Sequence, residues 1–182
     1  MSRRVVALAA TLVLAGQIGS GGAVARPAAG GITVFAAASL ADVFPAIDRT
    51  ATYSFAASNA LATQISNGAP ADVFASANTT IPAQLYAAGL VERPVNFTRN
   101  TLVIVVPRSN PANIHDIYDL TADGITVDIA APAVPIGAYT LQVLRQMGLA
   151  QKVLANVVSQ DTDVRAVLSK VALGQVDAGF VY

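Results

Sequence analysis

The sequence predicts an α/β fold built on largely parallel sheets. Two observations carry that prediction. Short β-rich runs alternate with helix-period stretches from Ile32 onward, and a hydrophobic content of 54% with mean hydropathy +0.55 supplies a core for one or two small domains. Ile32-Thr33-Val34-Phe35 reads as a short buried strand, Ala41 to Ile47 as a helical stretch, and Thr52-Tyr53-Ser54-Phe55 as a second strand. Ser58 to Ser66 is helical, with Leu61 and Ile65 one turn apart, and Asn67-Gly68 ends it as a left-handed cap does. A strand follows at Asp72 to Ala75, then a helix at Thr80 to Ala88 closed by Gly89, then the most β-rich run at Thr101 to Val106. Ile114 to Leu120, Ile125 to Ala130 and Ala138 to Met147 read helix, strand, helix. Val164, Val167, Leu168 and Val171 mark one helical face before Gly174, and Val176 to Tyr182 returns to strand. There is no internal repeat and no low-complexity linker, so a division into lobes has to fall within compact structure.

The first residues read as an address. Arg3 and Arg4 precede the apolar run Val5 to Ala15, and Ala23-Val24-Ala25 places small residues where a signal peptidase reads, so residues 1–25 are expected to be a signal peptide cut after Ala25. A membrane anchor needs about 20 continuous apolar residues, whereas this run gives way to Gly16-Gln17 and a Gly-rich stretch. The adjacent arginines leave both the general and the twin-arginine export routes open. Cys is absent, which excludes disulfides, thiolate metal sites, a cysteine nucleophile and a lipid-bearing cysteine. Lys and Arg number 11 and so do Asp and Glu, so no net field favours nucleic acid or an anionic membrane surface. Export without cysteine fits a periplasm.

Enzyme chemistry finds little support. His115 is the only histidine and lies far in sequence from any nucleophile. There is no His-Glu-x-x-His pair for zinc, no Gly-rich loop followed by Lys-Ser/Thr for nucleotide phosphates, and no Gly-x-Ser-x-Gly elbow. Asp161 with Asp163 is read as helix-start charge favoured by the macrodipole.

What recurs is a serine at a strand-to-helix junction. Phe35-Ala36-Ala37-Ala38-Ser39-Leu40 and Phe55-Ala56-Ala57-Ser58-Asn59-Ala60 share a plan: an apolar strand, small residues that allow close backbone approach, then Ser where a helix begins. Both serines are candidate N-caps. At a helix start the first N–H groups are unpaired and the dipole end is positive, so a hydroxyl there can also donate outward to an anion. Spacing alone does not choose between capping and binding.

These junctions also carry a resemblance. With Gly68-Ala69-Pro70-Ala71-Asp72-Val73-Phe74-Ala75-Ser76-Ala77, Pro132-Ala133-Val134-Pro135-Ile136-Gly137-Ala138-Tyr139, Asp163-Val164-Arg165-Ala166-Val167-Leu168 and Asp177-Ala178-Gly179-Phe180-Val181-Tyr182, they closely resemble the substrate-binding proteins of molybdate ABC transporters, in order from about Ile32 to Tyr182. The resemblance implies a type II periplasmic-binding fold with lobe one at about 32–101 and lobe two at about 102–182. It implies capture of molybdate or tungstate for a membrane permease, with no cofactor, no nucleic acid and no reaction catalysed, by a monomer. Ligand contacts carry over to Ser39 and Ser58 through hydroxyl and backbone N–H, to the backbone N–H of Ile136 and Val164, and to the Tyr182 phenol.

Such a set suits a fully deprotonated dianion, because molybdate presents only acceptors at neutral pH and a ring of neutral donors complements it. Phosphate, which usually carries a proton, asks for an acceptor that these residues do not offer. Sulfate differs chiefly in size. Where the sequence departs from the family pattern, three further expectations follow. Pro45 should stunt the helix behind Ser39. Ile136, standing where the family often has a smaller residue, should crowd the site. Family members continue for about a further quarter of their length, so lobe two and the return segment are expected to be incomplete. Sulfate or another oxyanion, a truncated chain with impaired binding, and an effector-sensing regulatory domain are the alternatives.

Overall fold

Two sheets organise residues 31–182, the part of the chain described by its computed structural model. The expected signal peptide lies outside those residues. In the first sheet β1 (Thr33–Ala37) runs between β2 (Thr52–Ala56) and β3 (Val73–Ala75), with both pairings parallel. In the second the order is β4-β7-β5-β6, from β4 (Val103–Val105), β5 (Val127–Ala130), β6 (Val157–Asp161) and β7 (Ala178–Val181). There β5 pairs in parallel with β6 and β7, while β4 lies antiparallel on β7. Parallel neighbours need crossovers, and helices supply them: α1 (Phe44–Ile47), α2 (Ser58–Ser66), α3 (Thr80–Ala87), α4 (Pro135–Gln146), α5 (Ala150–Ala155) and α6 (Val164–Ala172).

Strands β5 and β7 are buried along their whole length, as expected of central strands covered on both faces. One face carries Val127, Ile129, Ala178 and Phe180 against Leu144 of α4 and Val153 of α5. The other packs Ala130 and Val181 with Val164 and Val167 of α6 and Ile136 of α4. This second cluster also holds Ala38 and Ala57, which follow β1 and β2, so it joins the two sheets. A separate core of Val34, Ala36 and Ala75 serves the first sheet.

Several expectations are corrected. Ala41 to Ile47 is not one helix: a 3-10 turn at Ala38–Leu40 is followed by the four-residue α1, with Pro45 in its first turn. Pro there lacks only an N–H that a first turn leaves unpaired, so the helix restarts around it. Ile114 to Leu120 is not helical either, apart from a 3-10 turn at Asp119–Thr121. Asp119 Oδ2 accepts from the N–H of His115 at 2.7 Å and of Asp116 at 3.1 Å, while Asp116 Oδ1 accepts from the N–H of Tyr118 at 2.7 Å. Short acidic side chains thus take the backbone donors that a helix would have used. The β-rich run Thr101 to Val106 yields only the short edge strand β4, and α4 starts at Pro135 rather than Ala138. Helix α5 and strand β6 have no counterpart in the sequence expectations.

Asp128 of β5 is wholly buried and faces α6. Burial first, then hydrogen bonding and repulsion from Asp161, pushes its carboxyl up to about 7. Lys170 of α6 reaches Asp161 Oδ1 at 2.6 Å and lies 3.7 Å from Asp128 Oδ2, tying the helix to both strands. Asp161 is therefore a partner of Lys170 and not a helix-start charge; Asp163 alone has that role.

Candidate functional site

Each strand-to-helix junction singled out in the sequence delivers its residue to the same place. After β1 the chain turns directly into the 3-10 segment holding Ser39, and after β2 it enters α2 at Ser58. Neither serine is an N-cap. The cap positions are Ala37 and Ala57, both extended, and neither end has a side-chain cap bond. Ser58 is instead the first residue of its helix, buried, with Oγ accepting the Ala77 N–H at 2.9 Å. Its lone pair is engaged and its proton remains available to donate.

From the second sheet come two further helix starts. Ile136 is the second residue of α4, after Val134 at the cap and Pro135. Gly137 makes that placement possible: a Cβ there would collide with the carbonyl oxygens of Ala130 and Ala131 at the end of β5. Val164 opens α6, whose N-cap Asp163 accepts from the N–H of Arg165 at 2.8 Å and of Ala166 at 3.1 Å through Oδ1. Residues in a first turn have no partner for their N–H within the helix, so Ser58, Ile136 and Val164 each present an unspent donor. Tyr182 follows β7; its hydroxyl is buried and unpartnered. Burial, then the neighbouring Tyr139, raises the phenol above its ordinary value, so it stays neutral and able to donate.

Ser39, Ser58, Ile136, Val164 and Tyr182 all line one small cavity, completed by Ala37, Ala38, Ala57, Ala77, Val134, Pro135 and Asp163. The space open to the centre of a water-sized sphere is about 10 Å³, near the least that holds a single water. That space is minimal, and Ala77 and Tyr182 of its lining also border the wide open cleft beside it. No Lys, Arg or His lines it. Ile136, expected to crowd the site, lines the cavity and is buried in the cluster joining the sheets. Asp163, the one carboxylate in the lining, is committed through Oδ1 to the start of α6. Its place here was not foreseen as part of the site, although its position just before an apolar helical face is the sequence signal of a cap. Nor was the ion pair of Asp42 with Arg165, at 2.7 Å, for which a sequence separation of 123 leaves no local signal. Among the described residues no helix is long and apolar enough to cross a membrane, and no three His, Asp or Glu side chains are grouped to hold a metal ion.

With this geometry in view, the chain can be set beside known proteins. The molybdate-binding protein ModA of Mycobacterium tuberculosis is 41% identical over 187 aligned positions, which cover 96% of this chain and 70% of that protein. A solved periplasmic molybdate-binding protein from Azotobacter vinelandii matches with a TM-score of 0.64 and 28% identity, over 82% of this chain and 70% of the other. The sulfate-binding protein SubI of Mycobacterium tuberculosis matches in fold, with a TM-score of 0.66 at 21% identity over 84% of this chain and 64% of its own. The architecture is accordingly the α/β, two-lobed type II arrangement of periplasmic binding proteins. A family model described as bacterial extracellular solute-binding protein matches residues 28–182, and the chain belongs to that family, in the company of the molybdate-binding proteins.

Proposed function

We propose that this protein captures molybdate, or tungstate, outside the cytoplasm and delivers it to an ABC importer in the membrane. The observation that carries the reading is the cavity itself, lined by the hydroxyl-bearing Ser39, Ser58 and Tyr182 and by the first-turn residues Ser58, Ile136 and Val164, with no Lys, Arg or His in the lining. A ring of neutral donors fits an oxyanion with no proton to give away, and each charge-assisted bond is worth about 1.5–3 kcal/mol. Ser39, Ser58 and Tyr182 act through their hydroxyls, Ser39 and Ser58 also through N–H, and Ile136 and Val164 through backbone N–H. The anion is the ligand and no cofactor takes part. The 41% identity to a mycobacterial molybdate-binding protein supports the same reading.

In this reading the lobes divide near residue 101, with the first sheet in 32–101 and the second in 102–182, and the protein works as a monomer without catalysing a reaction. Residues 1–25 direct export to the periplasm. Calorimetric titration with molybdate, tungstate, sulfate and phosphate is the test. Saturable one-to-one binding of molybdate and tungstate, weaker sulfate binding and no phosphate binding are expected. Absence of molybdate binding, with the chain folded, overturns the proposal; preference for sulfate moves the assignment to that anion.

A further inference from the structure

Two of the proposed anion contacts lie next to oppositely charged side chains that meet across the cleft. Asp42 follows Ser39 by three residues, and Arg165 follows Val164 directly. Arg165 Nη1 donates to Asp42 Oδ2 at 2.7 Å. Among the described residues, this is the one hydrogen bond or ion pair that runs from the first-sheet residues 33–87 to the second-sheet residues 103–181. The hydrophobic contact at that junction is formed by Ala38 and Ala57 with Ile136, Val164 and Val167.

We infer that Asp42 and Arg165 form a latch that holds the two sheets closed over the anion. The inference rests on the function proposed above. Both side chains are well exposed, at 78% and 44%, so the pair is weak and reversible, as a latch that must release its cargo has to be. Ligand and latch act on the same two segments. An anion held by Ser39 and Val164 brings Asp42 and Arg165 into register, and the closed pair slows escape of the anion; the coupling is reciprocal. Arg165 therefore works as a positioning residue, with its charge spent on Asp42. The rival role, in which Arg165 attracts the anion directly, predicts the opposite sign for loss of Asp42, because the freed cation would then strengthen binding.

The test uses Asp42→Asn, Arg165→Gln, the double variant, and the charge swap Asp42→Lys/Arg165→Glu, each titrated with molybdate and followed by stopped flow. A pair of this exposure corresponds to a change of about two- to fivefold. Each single variant should weaken affinity by that factor at low salt, mainly through faster dissociation. The double should be no worse than either single, the swap should recover affinity, and all differences should vanish near 1 M salt, where the screening length is about 3 Å. Tighter binding by Asp42→Asn, or a double variant equal to the sum of the singles, overturns the latch. Should the parent chain bind no molybdate, the proposed function fails while the latch is still read without ligand. Dyes on Gln64→Cys and Lys152→Cys, both exposed and in a chain lacking native cysteine, report the separation of the two sheets. The single variants should widen it and the swap restore it; an unchanged separation overturns the latch.

Discussion

Replacing Tyr182 by Phe separates the cost of a binding group from its use. The phenol oxygen is buried and has no hydrogen-bond partner, and an unsatisfied buried polar group costs about 1–3 kcal/mol. The ring packs against the cluster that joins the two sheets, and Phe keeps that packing. Removing the oxygen should therefore leave the ligand-free chain as stable or more stable, by about 1 kcal/mol, allowing for partial hydration of a half-buried residue. Binding should move the other way. If the phenol donates to a dianion, its loss forfeits about 1.5–3 kcal/mol, a roughly 10- to 150-fold weaker Kd. Thermal melting without ligand and calorimetry with molybdate measure the two effects on the same sample. Because the phenol is held above its ordinary value by burial, it remains a donor throughout the neutral range. Unchanged affinity would refute its role in the site; a clear loss of ligand-free stability would refute the claim that the hydroxyl is unsatisfied.

Two other outcomes follow from the same geometry. Ser58→Ala should lower both stability and affinity, since it also orphans the Ala77 N–H, at about 1–3 kcal/mol for stability; Ser39→Ala, which removes no recorded hydrogen bond, should weaken molybdate binding with stability changed by less than about 0.5 kcal/mol. Equal melting losses in the two variants, or no loss of affinity in either, would contradict this. Asp128→Asn tests the buried carboxyl. Its folded value of about 7 lies above the ordinary 3.8, so the folded state holds the proton more tightly. Stability from this group is full below about pH 4 and is lost as pH rises to about 7, with an upper bound of roughly 4 kcal/mol. The amide should raise the melting temperature at pH 8 and not at pH 4, whereas a lower melting temperature at pH 8 would show that Asp128 is held ionised by Lys170.

Much of the architecture was legible because burial imposes period and composition. Apart from Asp128, central strands β5 and β7 are apolar, α6 shows an apolar stripe, and α2 ends at Asn67-Gly68, where Gly68 takes a positive φ of 86°. Elements that depend on local competition were not legible in the same way. Ile114 to Leu120 has helical composition, yet Asp116 and Asp119 close turns on the backbone instead. Strand β6 is half-exposed and polar in its second half, so neither periodicity nor an apolar run marks it.

By itself the sequence determined an α/β chain with a serine at each of two strand-to-helix junctions, and the motifs pointed to the residues of the candidate site. Only the tertiary structure decided that Ser39, Ser58, Ile136, Val164 and Tyr182 line one cavity, that the serines are not caps, and that Arg165 meets Asp42. The physical reason is range. Propensity and period are set by a residue's near neighbours, whereas a donor ring and a cross-cleft ion pair depend on where separate strands end in space, which follows from how the two sheets pack through Ala38, Ala57, Ile136 and Val164.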